Sequence, residues 1–179
     1  YGAYIRELEK LPDLVEEILQ HKENVQYLAS LFFNVKDVFF IGRNLDYAMS
    51  LEGSLKLKEI SYIHSDAYAA GELKHGTISL VEDGTLVIAL ATQKALFEKM
   101  MSNVKEVKAR GAVVLGLTTE GNTSIEQTAD HVIYVPEICD IMLPSLAVVP
   151  LQLFAYYVSS MKGCDIDKPR NLAKSVTVE

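Results

Sequence analysis

Cysteine is scarce in this chain. Cys139 and Cys164 are the only two in 179 residues; they have no metal-ligand spacing and are too few to staple a disulfide scaffold. Reduced thiols in a cytoplasmic setting are the expectation. A run rich in lysine and arginine is also missing. With 17 basic against 24 acidic residues, net charge −7 and a pI near 5.1, the chain lacks what nucleic acid requires, because that affinity rests on neutralising phosphates. A small anionic substrate needs only a local positive field and stays open. No signal or transit segment opens the chain, which begins Tyr1-Gly2 without a methionine, as expected of a piece of something longer. There is no repeat of solenoid length and no linker that would split the chain, and its length favours one domain.

Core-forming material is plentiful: 49% of residues are hydrophobic and the mean hydropathy is +0.14. Charged residues, at 23%, match an ordinary globular protein, which excludes a disordered chain. Residues 141–161 carry no formal charge and are long enough to span a membrane. They also hold Pro144, Pro150, Gln152 and three serines, so they read as a buried core or interface helix rather than a span.

Hydrophobic periodicity organises the rest. Leu8, Leu11, Val15, Ile18, Val25 and Leu28 recur at three- and four-residue spacings, which predicts helix through the N-terminal segment, with Pro12 suited to a first turn. The run Val38-Phe39-Phe40-Ile41, stopped by Gly42, predicts a buried strand. Helix is predicted over residues 46–63, a strand over 86–91, helix over 95–110, strands over 113–117 and 132–135, and an apolar helix near 145–161. Strands that are continuously apolar and alternate with helices imply an α/β fold, a three-layer, doubly wound parallel sheet with right-handed crossovers. Ligands of such sheets sit beyond the carboxyl ends of the strands, which directs attention to the loops after Ile41, Ala91 and Leu117. Gly42-Arg43-Asn44 offers one glycine and a helix N-terminus, but Asp46 in the first turn would repel an anion. The hydroxyls of Thr92, Thr118 and Thr119 suit helix caps as readily as ligand contacts.

Three groups of residues could carry chemistry. Glu52, Lys56 and Glu59, at i, i+4 and i+7, fall within about 60° of one another on a helix. They are either a solvated stripe of weak ion pairs or a carboxylate base tuned by an ammonium and a second carboxylate; spacing does not decide. The glycine-flanked loop AYAAGELKHG, residues 67–76, carries His75, a ready acid–base group if it reaches a cleft. Lys174 lies in a non-periodic tail and could attack a carbonyl only if partly neutral.

LEGSLKLKEISYIHSDAYAAGELKHG (residues 51–76) and DKPRNLAKSVTVE (residues 167–179) resemble the glutamine–fructose-6-phosphate aminotransferases, the glucosamine-6-phosphate synthase family. The resemblance covers essentially the whole chain, as the second of that family's two sugar isomerase (SIS) domains. It implies a flavodoxin-like fold over residues 1–179: a helical N-terminal segment (1–36), an α/β core (37–166) and an active-site tail (167–179). It further implies conversion of fructose 6-phosphate and glutamine-derived ammonia to glucosamine 6-phosphate in the cytoplasm, with no metal or organic cofactor. By motif, Glu59 is similar to the base that moves a proton between C1 and C2, assisted by Glu52 and Lys56. His75 matches the histidine that opens the sugar ring in the neighbouring subunit of a homodimer. Lys174 matches the imine-forming lysine, with Ala173 beside the sugar. The family's glutaminase domain and first SIS domain, with its Ser/Thr-rich phosphate loop, have no counterpart here; Ala91-Thr92-Gln93-Lys94 stands where that loop would be. The chain by itself is therefore expected to bind sugar phosphate weakly and to turn over little. A non-catalytic SIS module that senses sugar phosphates is the competing reading.

Overall fold

A computed structural model describes residues 2–172. Two helices lead, α1 (Gly2–Gln20) and α2 (Lys22–Phe32), broken at His21. The chain then alternates β1 (Asp37–Gly42), α3 (Leu45–Ser61), β2 (His64–Ala69), β3 (Leu86–Ala91), α4 (Phe97–Lys108), β4 (Val113–Thr119), β5 (His131–Val135) and α5 (Leu143–Met161), with 3-10 turns at Ala70–His75 and Thr77–Leu80 after β2. Pro12 lies inside α1 rather than in its first turn, because the helix already begins at Gly2.

All five strands are parallel and their order is β2-β1-β3-β4-β5. That is the flavodoxin-like order, with its reversal between β1 and β3. The pleat divides each strand between two cores. Val38 and Phe40 of β1, with Leu86 and Ile88 of β3, face Leu57 of α3, Leu28 of α2 and Leu151 of α5. Phe39 and Ile41, with Val87 and Ala89, face Met100, Val104 and Val107 of α4 and Leu73 of the 3-10 segment. A sheet buried on both faces is why its central strands are apolar at every position. By length and composition α5 could cross a membrane, yet half of it is buried, and its Leu146, Leu151, Phe154 and Val158 belong to the first core.

β2 departs from expectation. Residues 64–69 begin with His64, Ser65 and Asp66, and this edge strand is only partly buried, so it lacks the apolar run that marks its neighbours. What fixes it is close approach of α3. Ser54 Oγ donates to the Ser65 carbonyl at 2.9 Å and Ser65 Oγ donates to the Ser54 carbonyl at 2.8 Å. Gly53 lets the helix settle on Phe40, whose ring would lie 2.9 Å from an added Cβ.

Gly42 holds the turn out of β1. A Cβ there would lie 2.5 Å from the carbonyl carbon and oxygen of Asp46 and 2.7 Å from the Tyr47 nitrogen, all backbone atoms. Gly42→Ala should therefore force β1 and α3 apart and cost about 3 kcal/mol. In urea unfolding this appears as a lowered midpoint with unchanged slope; an unchanged midpoint would show that the turn yields freely.

Candidate active site

α3 brings the Glu52, Lys56 and Glu59 stripe together. Lys56 Nζ lies 2.7 Å from Glu59 Oε2 and 3.7 Å from Glu52 Oε1, with all three side chains about one-third exposed. The Glu59 hydrogen bond, followed by charge attraction to both carboxylates, holds the Lys56 pKa above its ordinary value against the opposing effect of burial. Lys56 is thus an ammonium that pins the Glu59 carboxylate.

Glu59 opens into a cavity of about 560 Å³, lined also by Leu55, Lys58, Tyr62, His64, Arg170 and Leu172. α3 ends beside this cavity at Tyr62, which caps it in the left-handed conformation at φ 61°. The cavity therefore lies at the amino end of β2, opposite to the carboxyl-end loops on which the doubly wound rule places ligands. Sequence reasoning missed Tyr62, His64 and Arg170. The first two sit inside the motif that holds Glu59, but nothing in the chain's pattern joins them to Arg170, over a hundred residues away.

His75 is elsewhere. It ends the 3-10 segment at the carboxyl end of β2, is 65% exposed, and its Nε2 lies 3.9 Å from Glu72 Oε2. The loop expected at residues 67–76 is the end of β2 followed by this segment. Between Glu59 and His75 the chain climbs the whole of β2, about 20 Å for six residues, so one copy does not bring the two together. Ala173 and Lys174 lie outside the described residues.

The carboxyl-end crevice between β1 and β3 is filled by the chain itself. Asp46 is 4% exposed and accepts hydrogen bonds from the Thr92 amide at 2.9 Å, the Thr92 hydroxyl at 2.5 Å and the Gln93 amide at 3.4 Å. Gln93 Nε2 donates to the Arg43 carbonyl at 2.8 Å, and Asn44, at φ 52°, donates to Gln93 Oε1 at 3.3 Å. The donors that would grip a phosphate here hold a carboxylate instead. The Thr118 hydroxyl donates to the Ala91 carbonyl and Thr119 accepts from Asn122, so both work within the fold. Among the described residues, no three His, Cys, Asp or Glu side chains form a metal-binding group.

The strand order and the helices packed on both faces define a flavodoxin-like α/β domain. The SIS domain family model matches residues 31–162, and the chain belongs to that family. It is 65% identical over 175 residues to the glutamine–fructose-6-phosphate aminotransferase (isomerizing) of Caldanaerobacter subterraneus subsp. tengcongensis, an alignment that takes in 98% of this chain and 29% of that protein. It is 61% identical over 169 residues to the aminotransferase of the same name from Clostridium acetobutylicum, covering 94% of this chain and 28% of that protein. A solved structure, the C-terminal domain of glucosamine-fructose-6-phosphate aminotransferase from Francisella tularensis, superposes with a TM-score of 0.87 at 35% identity, over 92% of this chain and 46% of that one. The chain thus spans less than a third of the length of the first two relatives.

Burial raises the Asp46 pKa against the lowering effect of its hydrogen bonds to Thr92 and Gln93. The unfolded chain releases this proton near pH 3.8, whereas the folded chain keeps it to higher pH, so stability falls as pH rises through the window just above 3.8. Asp46→Asn removes that slope and adds a pH-independent cost of about 1–3 kcal/mol, because its amide group faces donors. In chemical unfolding the wild type's advantage over Asp46→Asn should shrink as pH rises through that window; a constant advantage would contradict the assignment.

Proposed function

We infer that the chain is the C-terminal isomerase lobe of an enzyme that makes glucosamine 6-phosphate from fructose 6-phosphate and ammonia derived from glutamine. The observation that carries this reading is Glu59, hydrogen-bonded to the Lys56 ammonium and facing a cavity whose far wall is the segment just before Lys174. The extended identity with the two aminotransferases supports it.

In this reading Lys174 forms an imine with C2 of the open-chain ketose, releasing water. Ammonia then adds at C2 and displaces the Lys174 amine, which leaves as the free lysine side chain, and the resulting C2 imine acidifies the C1 protons so that a carboxylate serves as base. Glu59 takes a C1 proton and returns it at C2. Lys56 holds Glu59 in place, and Glu52 shares the charge of that ammonium. His75 assists ring opening in the cavity of a second copy, since its own is a sheet's height away. The lobe works in a homodimer, together with a first SIS domain and a glutaminase domain. The unit is a single SIS domain over residues 1–179 with a C-terminal tail at 167–179, and the small phosphorylated substrate and free thiols support a cytoplasmic setting. A sugar-phosphate sensor would need an open switch-point crevice; Asp46 fills it, which favours the catalytic reading.

Borohydride reduction with fructose 6-phosphate, followed by peptide mass spectrometry on the full-length enzyme, should find the adduct on Lys174. Glu59→Gln should keep that adduct while turnover drops roughly 10²–10⁴-fold. No adduct, or one on another lysine, would withdraw the imine role; undiminished turnover by Glu59→Gln would withdraw the base.

A further inference from the structure

Two contacts meet on Tyr62. The backbone N–H of Arg170 donates to the Tyr62 hydroxyl oxygen at 2.8 Å, across 108 residues of sequence. The Arg170 guanidinium lies over the Tyr62 ring, 4.1 Å from its centroid. Just upstream, Asp165 Oδ1 accepts the amides of Asp167 at 3.1 Å and Lys168 at 2.9 Å, a local turn that aims the chain back toward α3. Asn171 follows at φ 62°. Tyr62 itself holds a left-handed conformation at φ 61°, uncommon for a bulky residue and kept only where the surroundings over-determine it. Tyr62, Arg170, Asn171 and Leu172 line the same cavity as Glu59.

We propose that Tyr62 is a positioning residue: its ring and hydroxyl dock residues 170–172 as a wall of the Glu59 cavity, at the point of the sequence four residues before Lys174. The proposal rests on the reading of Glu59 and Lys174 given above. The two contacts use different parts of one side chain, which makes them separable. Tyr62→Phe keeps the ring beneath the guanidinium and removes the hydroxyl acceptor. Tyr62→Leu removes both. A cation–π contact and a hydrogen bond of this kind together favour the docked segment by roughly 30-fold.

Docking is read directly by trypsin. Lys168 precedes Pro169, which blocks cleavage, so the cut after Arg170, told apart by mass from the cuts after Lys162 and Lys174, reports the segment. Cleavage should be slow in the wild-type chain, about 5-fold faster in Tyr62→Phe and roughly 30-fold faster in Tyr62→Leu, with unchanged far-ultraviolet circular dichroism. In the full-length enzyme Tyr62→Leu should lower kcat with little change in KM, and Tyr62→Phe should recover most of it. Should Tyr62→Leu fail to fold, Arg170→Lys keeps the backbone N–H and the tryptic site but loses the planar stack, and should cleave faster than wild type. A folded Tyr62→Leu cleaved no faster than wild type would overturn the docking. Faster cleavage with unchanged kcat would overturn the positioning role. Failure of Lys174 to trap substrate in the wild type would instead remove the functional reading, leaving the tryptic result to stand alone.

Discussion

A parallel crossover cannot turn back where it ends. To lay β2 beside β1 in the same direction, α3 must carry the chain from the carboxyl end of the sheet to its amino end, and β2 must then carry it up again. Residues on the last turn of α3 and residues just after β2 are therefore held at opposite ends of the domain, however close they are in sequence. Glu59 and His75 stand only 16 positions apart, yet this constraint separates them by the height of a strand. In the proposed function the shared site and the second copy answer this constraint.

The same crossover explains why the carboxyl-end crevice is quiet. Gly42 passes so closely under the first turn of α3 that no side chain fits, and Asp46 is thereby aimed at the β3–α4 loop. Its carboxylate takes the Thr92 amide and hydroxyl, donors of the type that bind phosphate elsewhere in doubly wound sheets. Burying a carboxylate is tolerable only with such partners. The result is a filled carboxyl end of the sheet, while the open cavity lies at the opposite end, where α3 and residues 170–172 meet.

Much of this was legible beforehand. β1, β3, β4 and β5 are apolar runs because both faces of the sheet are covered, and each was recognised as a strand. β2 was not: an edge strand beginning His64-Ser65-Asp66 and tied down by Ser54 carries no apolar signature. The stripe Glu52, Lys56 and Glu59 was visible from spacing, but its meaning was not, because a solvated stripe and a held base have the same periodicity. What the structure adds is the cavity wall opposite Glu59, which comes from Tyr62 and Arg170, residues no local pattern connects. Sequence alone makes Asp46 a repeller of anions at the first turn of α3; in the structure it is the anion already in place. Family resemblance supplied roles for His75 and Lys174 that neither composition nor spacing contains.

The central claim is that one site draws Glu59 from one copy and His75 from another. Subunit mixing in the full-length enzyme tests it most directly: Glu59→Gln and His75→Asn are each prepared alone, then dissociated together and reassociated at equal amounts. Each homodimer should be nearly inactive, while half of the mixed population pairs the two variants and rebuilds one intact site in two, restoring about a quarter of wild-type activity. Activity that stays at the level of the separate variants would contradict the shared site and confine both residues to a single copy.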